Sequence, residues 1–173
     1  RQAAGDDRLN TVLKEAQTLA GTMDNLRQTK ALLDEVRTGF GAETITKAKR
    51  MLGQDVSSAE QLQTLLGDQV MARVGQTKGA VSEKEMQLFQ EYSANAGKTN
   101  AGNLAIVDFA MKAAERAKKI QKAITDGFRS GKDPFTIEEE VEKIREREPL
   151  TGILSAPAPS PGAIPADEES ENS

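Results

Sequence analysis

Histidine, cysteine and tryptophan are all missing from the 173 residues, and aromatic side chains make up only 3% of them. Without histidine there is no imidazole for acid–base work or zinc binding. Without cysteine there is no thiol nucleophile, no disulfide and no thiolate ligand. Any catalysis would have to run on carboxylates, lysines or hydroxyls. A chain without thiols also leaves its redox compartment open. The scarcity of aromatics predicts a thin, aliphatic core of packed helices. No apolar run approaches the roughly 20 residues that a bilayer span requires, so a soluble protein without a membrane span is expected. The first residue is Arg1 rather than Met, which is read as a matured product or a segment of a longer chain.

Among what is present, the stretch SANAGKTNAGN, Ser93 to Asn103, raises a nucleotide question, because Gly97-Lys98-Thr99 matches the end of a phosphate-binding loop. That loop needs a glycine five residues before Gly97 and a buried strand leading into it. Tyr92 stands at the glycine position, and the preceding residues carry Ser82 and Glu85 at capping-box spacing with Met86 and Phe89 three apart, a helical pattern. The stretch is therefore read as a polar turn that launches a helix. Gly97 and Gly102 supply backbone freedom, Asn100 or Asn103 acts as the cap, and Lys98 becomes a surface lysine.

Periodicity predicts helices along nearly the whole chain. From Asp6 to about Thr38, Leu9, Val12, Ala16, Leu19, Met23, Leu26 and Leu33 recur at alternating three- and four-residue steps, a heptad seam interrupted by Lys30, with Phe40 on the next seam position. Gly21 falls on the outer face. Glycines 39 and 41 break this helix, and a short one with Ile45, Ala48, Met51 and Leu52 ends at Gly53. Ser57 and Glu60 make a capping box for a helix whose inward stripe is Leu62, Leu65, Leu66, Gln69, Val70 and Val74. After the Ser82 helix, a long helix from about Ala101 to Phe128 turns Ile106, Ala110, Ala113, Ala117, Ile120 and Ile124 to one face. Thr136 and Glu139 then cap a last helix carrying Ile137, Val141 and Ile144, ended by Pro149. The five methionines, Met23, Met51, Met71, Met86 and Met111, fall at seam or core positions and read as gap-fillers.

The resulting expectation is an all-α, irregular helical bundle in three parts: a coiled-coil-like helix over 1–38, a bundle domain over 39–149 and a disordered tail over 150–173. Four of the six prolines lie in that tail. So do Asp167, Glu168, Glu169 and Glu171, with no lysine or arginine; since the net charge is −4, the rest of the chain is electrically balanced.

Two surfaces are candidates for function. The seam residues Leu9, Val12, Ala16, Leu19, Met23 and Leu26 form an association stripe, of which the first four are expected to project beyond the bundle. On the long helix, Lys112, Arg116, Lys118, Lys119, Lys122 and Arg129 fall within an arc of about 160° opposite the apolar stripe. They are candidate phosphate contacts, although no aromatic residue interleaves with them for base stacking. The acidic run Glu138 to Glu140 reads as a solvated helix start suited to the helix dipole rather than a hydrolytic pair. No catalytic residue, cofactor, nucleotide or metal is expected.

The ordered series of turns resembles a helical segment near the C-terminus of tailed-bacteriophage virion proteins. There a Thr-Gly element precedes a short helix, as Thr38-Gly39 does here. A Lys-Gly-x-x-Ser/Thr-Asp/Glu element opens the next, matched by Lys78, Gly79, Ser82 and Glu83. A Pro-Glu-Gly-Asn-like turn opens the long helix, matched by Gly102 and Asn103, whereas Asn100 and Ala101 stand where proline and glutamate would be. The similarity covers about Thr38 to Arg129. It implies a non-enzymatic structural or DNA-ejection component of a phage particle, located in the virion, whose partners are other virion proteins, the upstream part of a longer chain or a second copy. The alternatives are a nucleic-acid-binding helical module using the basic arc, and a coiled-coil adaptor in the bacterial cytoplasm.

Overall fold

The computed structural model describes residues 2–77, 79–96 and 99–154; the side chains of residues 2–10, 12, 13 and 96 lie outside that description, as does the tail from residue 155 on. The protein is all-α. Among the described residues six helices follow one another as α1 (Gln2–Thr38), α2 (Ala42–Leu52), α3 (Ala59–Val74), α4 (Glu83–Ala96), α5 (Asn100–Arg129) and α6 (Pro134–Arg147), with a 3-10 turn over Thr151–Leu154. There is no strand among the described residues, and no helix is long and apolar enough to cross a membrane.

The spine is an antiparallel pair. Helix α1 has 37 residues and α5 has 30, about 55 and 45 Å at 1.5 Å per residue. Asn100 Nδ2 at the start of α5 donates to Leu33 O near the end of α1 at 2.9 Å, and Lys30 Nζ reaches Asp108 Oδ1 at 2.7 Å. Helix α3 crosses both, tied to α5 where Asn103 Nδ2 donates to Gln63 O at 3.0 Å. Helix α4 lies on α5 through Phe89 and Phe109, whose rings stack at 4.7 Å and 21°. Helix α2 folds back on α1, with Lys47 Nζ 2.7 Å from Glu35 Oε1.

The alanine stripe of α5 is what lets these helices approach. Ala110, Ala113 and Ala114 are fully buried among Leu26, Leu33, Leu62, Leu66, Val70, Val74, Phe89, Ile106 and Phe109. Each large side chain buried in this core contributes about 1.5–3 kcal/mol relative to exposure. The expected stripe of α3 is present, with Leu62, Leu66, Val70 and Val74 buried and Leu65 and Gln69 half-buried. Met23, Met51, Met86 and Met111 pack against the core, but Met71 is 36% exposed.

In α1 the heptad seam is shifted. The fully buried positions are Thr22, Leu26, Thr29 and Leu33, while Met23 and Lys30 flank them half-buried. A hydroxyl tolerates this burial because it finds an acceptor: Thr29 Oγ1 donates to Asn25 O at 2.9 Å and Thr22 Oγ1 to Gln76 Oε1 at 3.2 Å. Lys30 therefore does not interrupt the seam. Thr29 takes the inward place and Lys30 pairs with Asp108 at its edge, an interaction that raises the lysine's pKa.

Three caps differ from the sequence expectation by a few residues. Ser58, not Ser57, accepts from Gln61 N at 3.1 Å; Ser57 instead donates its N–H and hydroxyl to Gln61 Oε1. Thr99, not Asn100 or Asn103, caps α5 by accepting from Gly102 N at 2.9 Å, which frees both asparagines for the ties to α1 and α3. Asp133, not Thr136, caps α6, with Pro134 in the first turn, where a missing N–H costs nothing. The Ser82–Glu85 box is reciprocal as expected: Ser82 N donates to Glu85 Oε2 at 2.9 Å and Glu85 N to Ser82 Oγ at 3.3 Å.

The expected tail boundary at residue 150 is too early. Leu150 is 2% exposed, and Ile153 and Leu154 pack on the main core. The prolines on which that boundary was placed begin only at Pro157.

Candidate association surface

The basic arc of α5 is largely engaged within the chain. Lys112 pairs with Glu115 at 3.1 Å, Lys119 with Glu148 and Lys122 with Asp126, whose carboxyl that lysine holds below its ordinary range. Lys118 and Arg129 both stand exposed at the surface. Arg116 is not a phosphate contact: it is 1% exposed and is the largest fully buried side chain. Wheel geometry places it opposite the apolar stripe, but α4 and the segment after α6 pack over that side too.

Arg116 and Glu85 form a buried, forked ion pair, Nη1 to Oε1 at 3.0 Å and Nη2 to Oε2 at 2.5 Å. Leu150 N donates to Glu85 Oε1 at 3.0 Å, and Arg116 Nη1 also donates to Glu148 O at 3.0 Å. Burial alone would push the Glu85 carboxyl up. The Arg116 guanidinium and the Ser82 and Leu150 amides outweigh it and lower the pKa to about 2. This cluster knots the start of α4, the middle of α5 and residues 148–150. It is a structural lock: both carboxylate oxygens and both terminal guanidinium nitrogens are occupied inside the fold. Sequence reasoning finds Glu85 as a cap and misses its second partner, because 31 residues separate the two.

The association stripe on α1 divides at about Thr22. Leu26 is fully buried against the core and Met23 is packed beside it, so these two are intramolecular core and not association residues. Leu19 is half-buried and Ala16 exposed; the side chains of Leu9 and Val12 lie outside the described residues. From Lys14 to Thr18 every residue is exposed. In the antiparallel pairing α5 contacts α1, α3, α4 and α6 on different sides.

The two long helices do not close on each other along their full length. Between the N-terminal half of α1, the C-terminal half of α5 and α6 lies an open groove of about 580 Å³. Its floor is a small second core in which Ala80, Ile120 and Val141 are buried and Ala117, Ile124 and Ile144 are packed beside them. Leu19 borders it from α1, and Lys14, Glu15, Glu138 and Arg145 stand around it. Glu138 thus serves as a groove wall, while Glu139 and Glu140 pair with Lys143 and Lys132.

Two of the five phenylalanines sit at the same end and are solvent-facing: Phe128 is 49% exposed and Phe135 88%. Phe128 lies one helical turn beyond Ile124 and so prolongs the floor of the groove outward. Phe135 precedes Glu138 by one turn of α6. The backbone there is held by a double cap, with Asp133 Oδ1 accepting from Phe135 N at 3.0 Å and Thr136 N at 3.1 Å. The Thr136 hydroxyl and these amides lower the Asp133 pKa. Gly131, at a φ of 71°, makes the turn between α5 and α6 that only glycine adopts without strain.

Among the described residues, no group of three or more acidic side chains could hold a metal ion. Gly97 and Lys98 of the phosphate-loop-like stretch lie outside the described residues, but the helix α4 that precedes them stands where that motif requires a strand. No protein-family model matches the chain, and neither curated proteins nor solved structures yield a match.

Proposed function

We propose that the chain is a non-enzymatic helical component of a phage particle, structural or associated with DNA ejection, that works by docking helices against other protein surfaces. The observation that carries the docking part is the open groove over α5 and α6, with an apolar floor and an adjoining stretch of α1 that buries nothing from Lys14 to Thr18. An amphipathic helix laid into a groove of this kind is a recurrent recognition mode. The phage part rests on the resemblance over Thr38 to Arg129, which the helix boundaries accommodate: α1 ends at Thr38, and Ser82-Glu83 opens α4. The nucleic-acid alternative loses Arg116 to the core and Lys112, Lys119 and Lys122 to carboxylate partners, so docking to protein is the better supported reading. The test is recovery of the chain from density-gradient-purified particles of the producing host, detected with an antibody raised against the purified protein. Banding with the particles at a fixed copy number supports the proposal. Recovery only from the particle-free fraction overturns it.

A further inference from the structure

We propose that the groove is filled by a second copy of this chain, related by a two-fold axis, with Phe135 of each copy seated against the floor of its partner's groove. The inference builds on the protein-docking reading above and adds the identity of the partner and the contact.

A projecting knob and an unfilled hole lie side by side on one molecule. The knob is Phe135, 88% exposed on the first turn of α6, where Pro134 and the Asp133 cap fix the backbone, so only side-chain freedom is lost when it docks. The hole is the groove of about 580 Å³ floored by Ala117, Ile120, Ile124 and Val141. Complementary features one turn apart on α6, with Phe135 preceding the groove residue Glu138, suit a closed, isologous dimer: a two-fold axis passing between knob and hole satisfies both at once and leaves no end open.

The charges around the groove suit the same partner. Lys14 is basic and Glu15 and Glu138 are acidic, while Arg145 is already held by Glu142 and the Gly79 carbonyl, so an inverted copy can set its Lys14 against its partner's acids. A strongly acidic or basic ligand would meet unfavourable charge on one sign or the other. The balance of acids and bases outside the acidic tail removes long-range repulsion between copies as well. Phe128, 49% exposed, extends the apolar area from the floor toward the axis.

The absence of cysteine makes the contact directly testable in the full chain. Glu139→Cys keeps Phe135 and lies one turn beyond it, Thr18→Cys marks the far wall of the groove, and Glu60→Cys on α3 serves as the control. Mixed under mild oxidation, Glu139→Cys and Thr18→Cys should form an intermolecular disulfide about tenfold faster than Glu139→Cys with Glu60→Cys, because docking raises their effective concentration. Adding Phe135→Ala should abolish that advantage. In sedimentation velocity the parent chain should dimerise with concentration, and Phe135→Ala should be monomeric with unchanged circular dichroism and thermal midpoint. The proposal is overturned by equal cross-linking of both mixtures, or by a parent chain that remains monomeric up to about 1 mM. It is also overturned if Phe135→Ala dimerises like the parent, or if a monomeric parent binds anionic phospholipid vesicles through Phe135. A failed cross-link with the chain still present in purified particles removes only the dimer; a dimer absent from particles removes only the virion reading.

Discussion

The two ends of the α1–α5 pair differ in what they bury. At one end Leu26, Leu32, Leu33, Phe89, Ile106 and Phe109 from three helices meet across the alanines of α5, and all are below 5% exposure. At the other end the same α5 stripe continues as Ala117, Ile120 and Ile124, but among the described side chains α1 answers it with Thr11, Lys14, Glu15 and Thr18 and, of the large aliphatics, with Leu19 alone. Both ends use one helix pair of similar register. What separates a core from a groove here is therefore the supply of large side chains from the neighbours, and α3 and α4 deliver them at one end only.

The largest effect should come from the packed end. Replacing Arg116 by Leu strands the Glu85 carboxylate in the interior, and losing one partner of a buried pair costs about 3–5 kcal/mol. Chemical denaturation should read that loss. The same lock gives the comparison a pH dependence. Glu85 titrates at about 2 in the folded chain against 4.5 for an unperturbed group, so between those values the unfolded state binds more protons. Its contribution is fully present well above pH 4.5 and disappears as the pH falls toward 2. Glu85→Gln should be less stable than the parent at neutral pH and should lose less on acidification, measured by urea midpoints across that window.

Next in size, Leu33→Ala should cost about 2–5 kcal/mol by leaving a cavity in the main core, whereas Leu19→Ala at the groove should cost below about 1 kcal/mol. Equal losses at both positions would erase the distinction between the two ends. Smaller again is Gly127→Ala, where a new methyl group would stand 2.6 Å from Ile137 Cγ1 at the α5–α6 contact. Overpacking outweighs the gain in helix propensity, for a net loss of about 1–2 kcal/mol. Amide exchange should quicken in α6 while the centre of α4 stays protected. Smallest are Lys112→Ala, Lys119→Ala and Lys122→Ala, each within about 0.5 kcal/mol because these are exposed pairs.

Much of the fold is legible in periodicity. The α3 stripe, the Ser82–Glu85 box and the alanine face of α5 come from spacing, since a helix of 3.6 residues per turn fixes which side chains share a face. The features that periodicity misses depend on tertiary partners. By spacing alone Arg116 is one of six surface cations, and only the arrival of Glu85 and the backbone at 148–150 makes its burial tolerable. Thr22 and Thr29 are too polar to be placed on the seam by pattern, but nearby acceptors satisfy them. Leu150 is masked by the proline-rich composition of residues 157–165. The groove is half legible: Leu19 and the polar residues Lys14, Glu15, Gln17 and Thr18 before it are visible in the sequence, while the exposed Phe135 is not, because a lone aromatic in a capped first turn carries no periodic signal.

The pairing of α1 with α5 also sets an order of events during synthesis. Leu33 and Asn100, which join the two helices, are 67 residues apart, and Lys30 and Asp108 are 78 apart. At roughly 5–20 residues per second, α1 waits about 3–16 s between its own translation and that of the helix that covers it. Through that interval Leu26, Leu32 and Leu33 form a continuous apolar stripe on a nascent helix, the kind of surface that chaperones hold. Delivery of α5 thus completes the cover of α1 that α2 and α3 begin, and synonymous changes that slow ribosomes between residues 39 and 100 lengthen the exposure without altering any residue of the finished fold.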